Sequence, residues 1–522
     1  MTATALHTHE PAFPAIARSA RAWTALLVLL AALAQTMVLA LGLVSVSADE
    51  SARALMAHAV TPETALEPFI WPPFYKIAVG AGLYLYDDLF LTPRVIAFFM
   101  GLVTLGAILY LAHRLFEDRV TTVIAGALGV FLSHRVIFGA APQSEMFFNV
   151  FVLMAFAFFA GWLVRRRPRD TLLASALFAL ACLVRFEAWF MAALYGLFLA
   201  YAWAFERRLS FGLLALNGMI VSSAPLLVLG QAWLSYGSLE PLFITGVQAK
   251  MFGASMSDLL FNSHAFNTAR DVLSSPLILA LVPLTLLAVE DPAKRRWILC
   301  LIGSLVVITL ATFATRSVAY AAPWRLSGVW TMAVVPFAAV ALISLVRSFV
   351  PRFFGPFGRS GALAGLCAAA MLAFALDTLE IVRSFNGQFS PEERQTGAFI
   401  RQALDGRDGN VLLAADSFDF LDVIVASNRP DRFVINRGED PLQVGLYVGF
   451  DDFWRREDPA IYEAHVAPKF DLDRGGDAEQ LAARNIFLVV SANPAHHTAL
   501  DANSMARLAA RFGPWSVYTW QP

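Results

Sequence analysis

The chain has 522 residues, of which 58% are hydrophobic and only 15% are charged, and its mean hydropathy is +0.61. Soluble domains carry about 25% charged residues, and several apolar runs here reach the ~20 residues that cross a bilayer, so the composition predicts a polytopic membrane protein. The formal net charge is −1 and no phosphate-binding glycine loop or Cys/His zinc spacing is present, which gives no sign of a nucleotide, nucleic-acid or zinc module.

A transmembrane region over residues 23–383 follows a cytoplasmic tail over residues 1–22. We predict eleven spans, at roughly 23–46, 94–112, 120–138, 146–164, 171–184, 188–205, 211–233, 276–290, 297–315, 327–346 and 361–382. The inner turns of this arrangement hold sixteen Lys and Arg residues and the outer segments before the C-terminal tail hold nine, as the positive-inside rule requires. An odd number of spans in the inner (plasma) membrane places the C-terminal domain on the extracytoplasmic side.

The first outer loop, residues 47–93, begins with two adjacent carboxylates. Asp49 and Glu50 directly follow the first span, where a charge next to hydrocarbon is costly and is seldom kept without a role. The alternative is that both residues simply end a helix in water. Ser51–Val60 has its apolar residues on one helical face, which suits a helix lying on the membrane surface. Trp71-Pro72-Pro73-Phe74-Tyr75-Lys76 then forms a stiff turn that ends in one cation.

Further charges stand on the outer side of the predicted spans. Glu145 precedes span four, Arg185 separates spans five and six, and Arg325 precedes span ten. The outer segment 234–275 carries Lys250 among apolar residues, and this segment either covers a lipid-borne substrate or is a partly buried connector. The alternative for each cation is a helix-end charge that meets lipid headgroups. For Glu145 the alternative is a carboxylate favoured by the helix dipole.

The tail from 384 to 522 is predicted to be an outer, small α/β domain. Ser390-Pro391-Glu392-Glu393 has the pattern of an N-cap, an N1 proline and a capping-box glutamate, and predicts a helix to about Leu404. Short apolar runs at 411–415, 432–436, 486–491 and 515–520 predict strands. The domain contains no cysteine, so we expect it to fold without disulfides. We also expect it to assist acceptor binding and not the chemical step.

These features resemble the C-type glycosyltransferase superfamily, most closely family 39, which contains protein O-mannosyltransferases and lipid A aminoarabinose transferases. The matching residues are Asp49-Glu50, Pro72-Pro73-Phe74-Tyr75-Lys76, Ser144-Glu145, Arg185-Phe186-Glu187 and Ala322-Pro323-Trp324-Arg325. The resemblance covers about residues 20–350. Two departures are Trp71, where the family often has lysine or histidine, and Arg325-Leu326, where it usually has an Arg-Tyr pair.

The resemblance implies an enzyme that moves a hexosyl or pentosyl group from a polyprenyl phosphate to a hydroxyl of a glycan, lipid or protein. It implies Asp49 as the general base of an inverting reaction and Glu50 and Glu145 as substrate-orienting residues. The cations expected to bind the donor phosphate are Lys76, Arg185, Lys250 and Arg325. No cofactor is required, because protein cations can stabilise a lipid monophosphate leaving group, although a divalent cation is compatible with such a site.

Three other interpretations of the sequence compete with this one. A lipid-linked oligosaccharide ligase or polymerase would share the lipid chemistry but move whole chains. A secondary transporter would carry charges near the membrane middle on broken helices in two related halves, whereas the charges here gather at one face. A non-catalytic scaffold would use the membrane region only to display the outer domain.

Overall fold

The computed structural model describes residues 19–47, 49–68, 71–239, 242, 255–275, 291–316, 323–350, 355–385, 389–438 and 440–521. The chain divides into two compact units. The helical unit comprises Met1–Leu43, Glu63–Tyr75 and Ile96–Ser384, and the α/β unit comprises Val44–Pro62, Lys76–Val95 and Phe385–Pro522. Two parts of the predicted first outer loop therefore fold with the C-terminal domain.

The described residues up to Ser384 are almost entirely helical. Its helices are α1 Ala20–Ala40, α2 Asp49–His58, α3 Phe74–Leu85, α4 Leu91–Phe116, α5 Arg119–Val130, α6 Ser133–Phe138, α7 Glu145–Arg165, α8 Pro168–Cys182, α9 Glu187–Ala204, α10 Phe211–Tyr236, α11 Met256–Phe261, α12 His264–Ser274, α13 Pro292–Thr315, α14 Gly328–Phe349 and α15 Gly355–Ser384. A 3₁₀ turn, Pro323–Ser327, leads into α14.

Seven of the described helices are long and apolar enough to cross a membrane: α1, α4, α7, α10, α13, α14 with the turn before it, and α15. The prediction of a polytopic α-helical membrane protein is confirmed. The count of eleven spans stays a prediction, and the predicted span 276–290 lies outside the described residues.

The structure confirms one predicted break between spans and divides one predicted span in two. The break at 185–187 is confirmed, because α8 ends at Cys182 and α9 begins at Glu187. The span predicted over 120–138 is instead two helices, α5 and α6. The guanidinium of Arg135 donates to the carbonyls of Gly129, at 2.7 Å, and Val130, and so satisfies the backbone groups that the end of α5 leaves open.

The core of the helical unit is held by apolar contacts and a few buried polar pairs. Leu27 and Ala31 of α1 pack with Leu105 of α4 and Val123 of α5. Near the other end of α4, the Arg114 guanidinium donates to the Asp170 carboxylate at 2.7 Å, and both side chains are buried. This pair requires a glycine on α7, since a Cβ at Gly161 would lie 1.6 Å from Arg114 Nη2.

The α/β unit is built on one five-stranded sheet. Its strands are β1 Asn410–Leu413, β2 Phe433–Ile435, β3 Ile486–Ser491, β4 Ala506–Phe512 and β5 Trp515–Trp520. Its helices after Ser384 are α16 Pro391–Leu404, α17 Phe420–Ser427, α18 Pro441–Tyr447, α19 Asp451–Glu457, α20 Pro459–Ile461, α21 Ala478–Ala483 and α22 Pro494–Asp501. The strand order is β2-β1-β3-β5-β4, with β2, β1 and β3 parallel and the last two strands antiparallel.

The helix start and the strands predicted for this domain are confirmed. Helix α16 begins at Pro391 and ends at Leu404, and the Ser390 side chain accepts from Glu392 N as its N-cap. All four predicted strands form, and β4 is an edge strand that the apolar-run criterion did not predict. The core of the sheet includes Leu412, Val489 and Tyr518, all of which are buried.

Candidate functional site

A buried carboxylate with two arginines forms the centre of the candidate site in the helical unit. Arg325 Nε donates to Glu145 Oε1 at 2.6 Å, and Arg185 Nη1 lies 2.7 Å from the same oxygen. The Glu145 side chain is only 2% exposed and that of Arg325 is 5% exposed. The structure therefore brings together three of the predicted site residues, which are separated by up to 180 positions in the sequence.

Each member of this group stands at a helix end. Glu145 is the first residue of α7, where the helix dipole favours a negative charge. Arg185 lies in the short connection between α8 and α9, and Arg325 lies in the 3₁₀ turn before α14. The start of one helix and two short connections thus place the three side chains, and this explains why no helical periodicity links them.

Neighbouring polar groups hold the two guanidinium groups in fixed orientations. Arg325 Nη2 donates to Gln143 Oε1 at 2.9 Å, and Arg185 Nη1 donates to Ser144 Oγ at 3.2 Å. Arg185 also pairs with the Glu187 carboxylate, its Nε lying 3.1 Å from Oε1. Two arginines and two glutamates make this cluster neutral overall, and its donors are planar forks of the kind that bind phosphate and carboxylate groups.

A second network, which the sequence did not predict, supports the turn that carries Arg325. His134 Nε2 lies 3.1 Å from the carbonyl oxygen of Trp324, 2.9 Å from Ser327 Oγ and 3.4 Å from the Asp271 carboxylate. Ser327 also donates to Asp271. Burial alone would raise the pKa of Asp271, but the hydrogen bond and charge of His134, with further help from Ser327, hold that pKa below its usual value. No sequence pattern links these residues, because Asp271 lies in α12, more than 50 residues before Trp324 and Ser327 in the sequence.

A buried histidine, His264, interacts electrostatically with two members of the arginine cluster, Glu187 and Arg185. His264 begins α12, and its Nδ1 lies 3.4 Å from Thr312 Oγ1. Burial lowers the pKa of His264 to about 4, an effect that the charge of Glu187 opposes and that of Arg185 reinforces. His264 is therefore neutral at neutral pH and adds no positive charge to the cluster.

The predicted base lies in the α/β unit, at the start of α2. Asp49 is the first residue of this helix and is partly exposed, whereas Glu50 is buried. Glu50 Oε1 accepts from Val46 N at 2.8 Å, and Glu50 N donates to Ser47 O at 3.3 Å. Glu50 thus closes the turn that precedes α2, and the two adjacent carboxylates have different surroundings.

Two further cations were predicted to bind the donor phosphate, Lys76 and Lys250. Lys76 belongs to the α/β unit, in the first turn of α3, and its side chain is buried. Lys250 lies outside the described residues. Among the residues that the structure describes, no group of three or more His, Cys, Asp and Glu side chains is placed to hold a metal ion. The roles assigned to these residues stay predictions.

Comparison with solved structures confirms the fold that the sequence resemblance predicted. The chain is similar to the crystal structure of ArnT from Cupriavidus metallidurans bound to undecaprenyl phosphate, with a TM-score of 0.59 and 14% identity over 95% of this chain and 98% of that chain. The apo state of the same protein gives a TM-score of 0.59 and 13% identity over 96% and 98% of the two chains. No protein-family profile and no curated protein matches the chain. At this identity the similarity concerns the fold.

Proposed function

We propose that this protein is a membrane glycosyltransferase that moves a sugar from a polyprenyl-phosphate donor to a hydroxyl acceptor on the outer face of the inner membrane. The observation that carries the proposal is the pair of guanidinium groups, Arg185 and Arg325, which converge on one oxygen of the buried Glu145. The fold likeness supports the lipid class, because the similar ArnT structure holds undecaprenyl phosphate.

The arginines fit the leaving group of such a reaction. When the sugar departs, negative charge grows on the lipid phosphate, and fixed cations lower the barrier by stabilising that charge. Glu145, Gln143 and Ser144 hold the guanidinium groups before the donor arrives, so little reorganisation is needed during the reaction. Lys76 and Lys250 are further candidates for the phosphate, and Glu145 would orient the donor through its two arginines.

The acceptor hydroxyl requires a base. In the proposed step its oxygen attacks the anomeric carbon, the bond from that carbon to the phosphate oxygen breaks, and the electron pair leaves with the phosphate. The hydroxyl proton passes to a carboxylate, for which Asp49 is the best candidate because it is partly exposed, whereas Glu50 is buried and bound to Val46 N. A single displacement of this kind inverts the anomeric centre. No cofactor enters this scheme.

The proposal is tested by transfer assays with the purified protein in lipid nanodiscs. Labelled polyprenyl-phosphate hexoses and pentoses are offered with hydroxyl acceptors, with and without a chelator. We expect transfer from at least one donor, inversion at the anomeric carbon, and a large loss in Arg325→Ala. The matched control is Arg165→Ala, since Arg165 pairs with Glu117 at 2.6 Å but is 32% exposed.

Other outcomes of this assay point to the competing classes. Transfer of whole oligosaccharides with no transfer of single sugars would indicate a ligase or polymerase. Movement of the intact lipid-linked sugar across a sealed vesicle, without bond cleavage, would indicate a transporter. Equal activity of Arg325→Ala and Arg165→Ala would remove the arginine cluster from the mechanism.

A further inference from the structure

The helix that begins with Asp49 folds together with the C-terminal domain. Residues Val44–Pro62 belong to the same compact unit as Phe385–Pro522. Within that unit, α2 packs against α17 and α18 of the C-terminal domain. The start of α2 therefore depends for its position on a part of the chain that follows it by more than 350 residues.

One buried hydrogen bond joins α2 to α17 next to the predicted base. Ser51 Oγ donates to Asp422 Oδ1 at 2.5 Å, and the two residues are 3% and 4% exposed. Ser51 lies two positions after Asp49, in the first turn of α2. Because a buried acceptor without a donor is costly, this bond ties the first turn of α2 to one place on α17.

The surroundings of Asp422 favour the uncharged form of its carboxyl group. Burial raises the pKa of Asp422 well above its usual range; the Ser51 hydrogen bond opposes this, and the nearby carboxylates of Asp419, Glu393 and Glu50 add to it. A protonated Asp422 still accepts from Ser51 through its carbonyl oxygen, so an amide at this position would do the same.

The far end of α17 is fixed to the other inserted segment, Lys76–Val95. Asn428 caps α17 with φ of 54°, a backbone conformation that asparagine tolerates. Its Oδ1 accepts from Leu89 N at 2.8 Å, and its Nδ2 donates to Asp87 O at 2.8 Å. Helix α17 is thus bound at both of its ends to segments from the first outer loop.

We propose that Asp422 is a positioning residue: through Ser51 it holds the first turn of α2, and with it Asp49, in the orientation in which Asp49 accepts the proton. This inference rests on the proposed function for the role of Asp49. It makes the C-terminal domain necessary for the chemical step, and it replaces the sequence-based expectation that the domain serves acceptor binding alone.

The test uses the full-length protein in nanodiscs and four variants. Asp422→Asn keeps an acceptor for Ser51 without a charge, whereas Asp422→Leu has similar size and no acceptor. Ser51→Ala removes the donor. The matched control is Asp408→Leu, the same substitution at an exposed position of the same domain.

We expect Asp422→Leu and Ser51→Ala to lower kcat by about 10- to 100-fold, the loss that a misplacement of about 1 Å causes. KM for the donor should stay within about twofold, because these variants displace the base and leave the arginine cluster intact. Asp422→Asn should restore most of the activity, and Asp408→Leu should behave as wild type. A loss that appears only in KM, or equal losses in Asp422→Asn and Asp422→Leu, would overturn the proposal.

Amide hydrogen exchange of residues 49–58 provides a readout that does not depend on turnover. In Asp422→Leu, exchange in α2 should rise while exchange in β1 and β3 stays unchanged, and Asp422→Asn should retain the protection of α2. Unchanged exchange in α2 of Asp422→Leu would refute the positioning role even if activity falls. If wild type transfers no sugar, the proposed function fails. Raised exchange in α2 of Asp422→Leu, with protection retained in Asp422→Asn, would then still show that Asp422 holds α2 in place.

Discussion

Replacing Glu145 by glutamine is expected to destabilise the helical unit. The substitution keeps the size of the side chain but removes the charge that two guanidinium groups share, with contacts of 2.6 and 2.7 Å to the same oxygen. Glu187 still pairs with Arg185, and Gln143 still accepts from Arg325, so the cluster keeps part of its bonding but acquires a net positive charge. The buried position leaves little water to compensate for the missing carboxylate.

The expected size of the effect follows from burial. Removing one partner of a buried ion pair costs about 3–5 kcal/mol, because the other charge stays in a poorly solvated place. A chain of this length unfolds with an entropy of about 1.1 kcal/mol/K, so the unfolding midpoint should fall by about 3–5 °C. The negatively charged phosphate of a polyprenyl phosphate should recover part of this loss, since it supplies a new counter-charge for the same arginines.

Thermal unfolding followed by tryptophan fluorescence in nanodiscs checks this expectation, with Glu117→Gln as the control. Glu117 makes an equally short ion pair with Arg165, but the two side chains are 50% and 32% exposed. Exposed ion pairs contribute only about 0–1 kcal/mol, so the control should shift the midpoint by at most about 1 °C. Equal shifts in the two variants, or no recovery of Glu145→Gln by added lipid phosphate, would refute the reasoning.

Arg325→Lys should lower kcat nearly as much as Arg325→Ala, because lysine keeps the charge but cannot contact Glu145 and Gln143 at once. A kcat for Arg325→Lys more than about tenfold above that of Arg325→Ala would show that the charge of Arg325, and not the two-pronged guanidinium contact, is what the reaction needs. The pKa of Asp422 is higher in the folded than in the unfolded state, so the stability it contributes is present at low pH and is lost as pH rises through the folded pKa. The free energy of unfolding of Asp422→Asn should therefore exceed that of wild type by an amount that grows from about pH 4 upward and then levels off. A difference that is constant with pH would contradict this. A C-terminal reporter that is active only outside the cytoplasm should be active here, because the predicted span count is odd, and activity of a cytoplasmic reporter would refute the topology.

Much of the fold could be predicted because its signals are local. Long apolar segments predicted membrane helices, and the Ser390-Pro391 pattern placed the start of α16 at the correct residue. The charged pair at 185–187 correctly divided two helices. The division of residues 120–138 was not predicted, because the feature that ends α5 is a hydrogen bond from Arg135 back to carbonyl groups, which hydropathy does not report.

The candidate site was predicted residue by residue but not as an assembly. Outer-face charges identified Glu145, Arg185 and Arg325 individually, yet their convergence on one carboxylate oxygen depends on contacts across 40 and 180 residues of sequence. The structure shows the three residues as one ion cluster. The roles assigned to them, substrate orientation for Glu145 and phosphate binding for the arginines, stay predictions. The support from His134 and Asp422 was missed for the same reason, since neither residue belongs to a local motif.

The most direct test of the account is the turnover of Asp49→Asn. Asparagine keeps the shape of the side chain but cannot accept the hydroxyl proton, and positioned general bases contribute roughly 10²–10⁴ in rate, so kcat should fall by about that factor while donor binding is kept. Glu50→Gln is the matched control, because its amide oxygen can still accept from Val46 N, and it should cost much less. Near-normal turnover of a well-folded Asp49→Asn would contradict the mechanism and would leave Glu50 and Glu145 as the next candidates for the base.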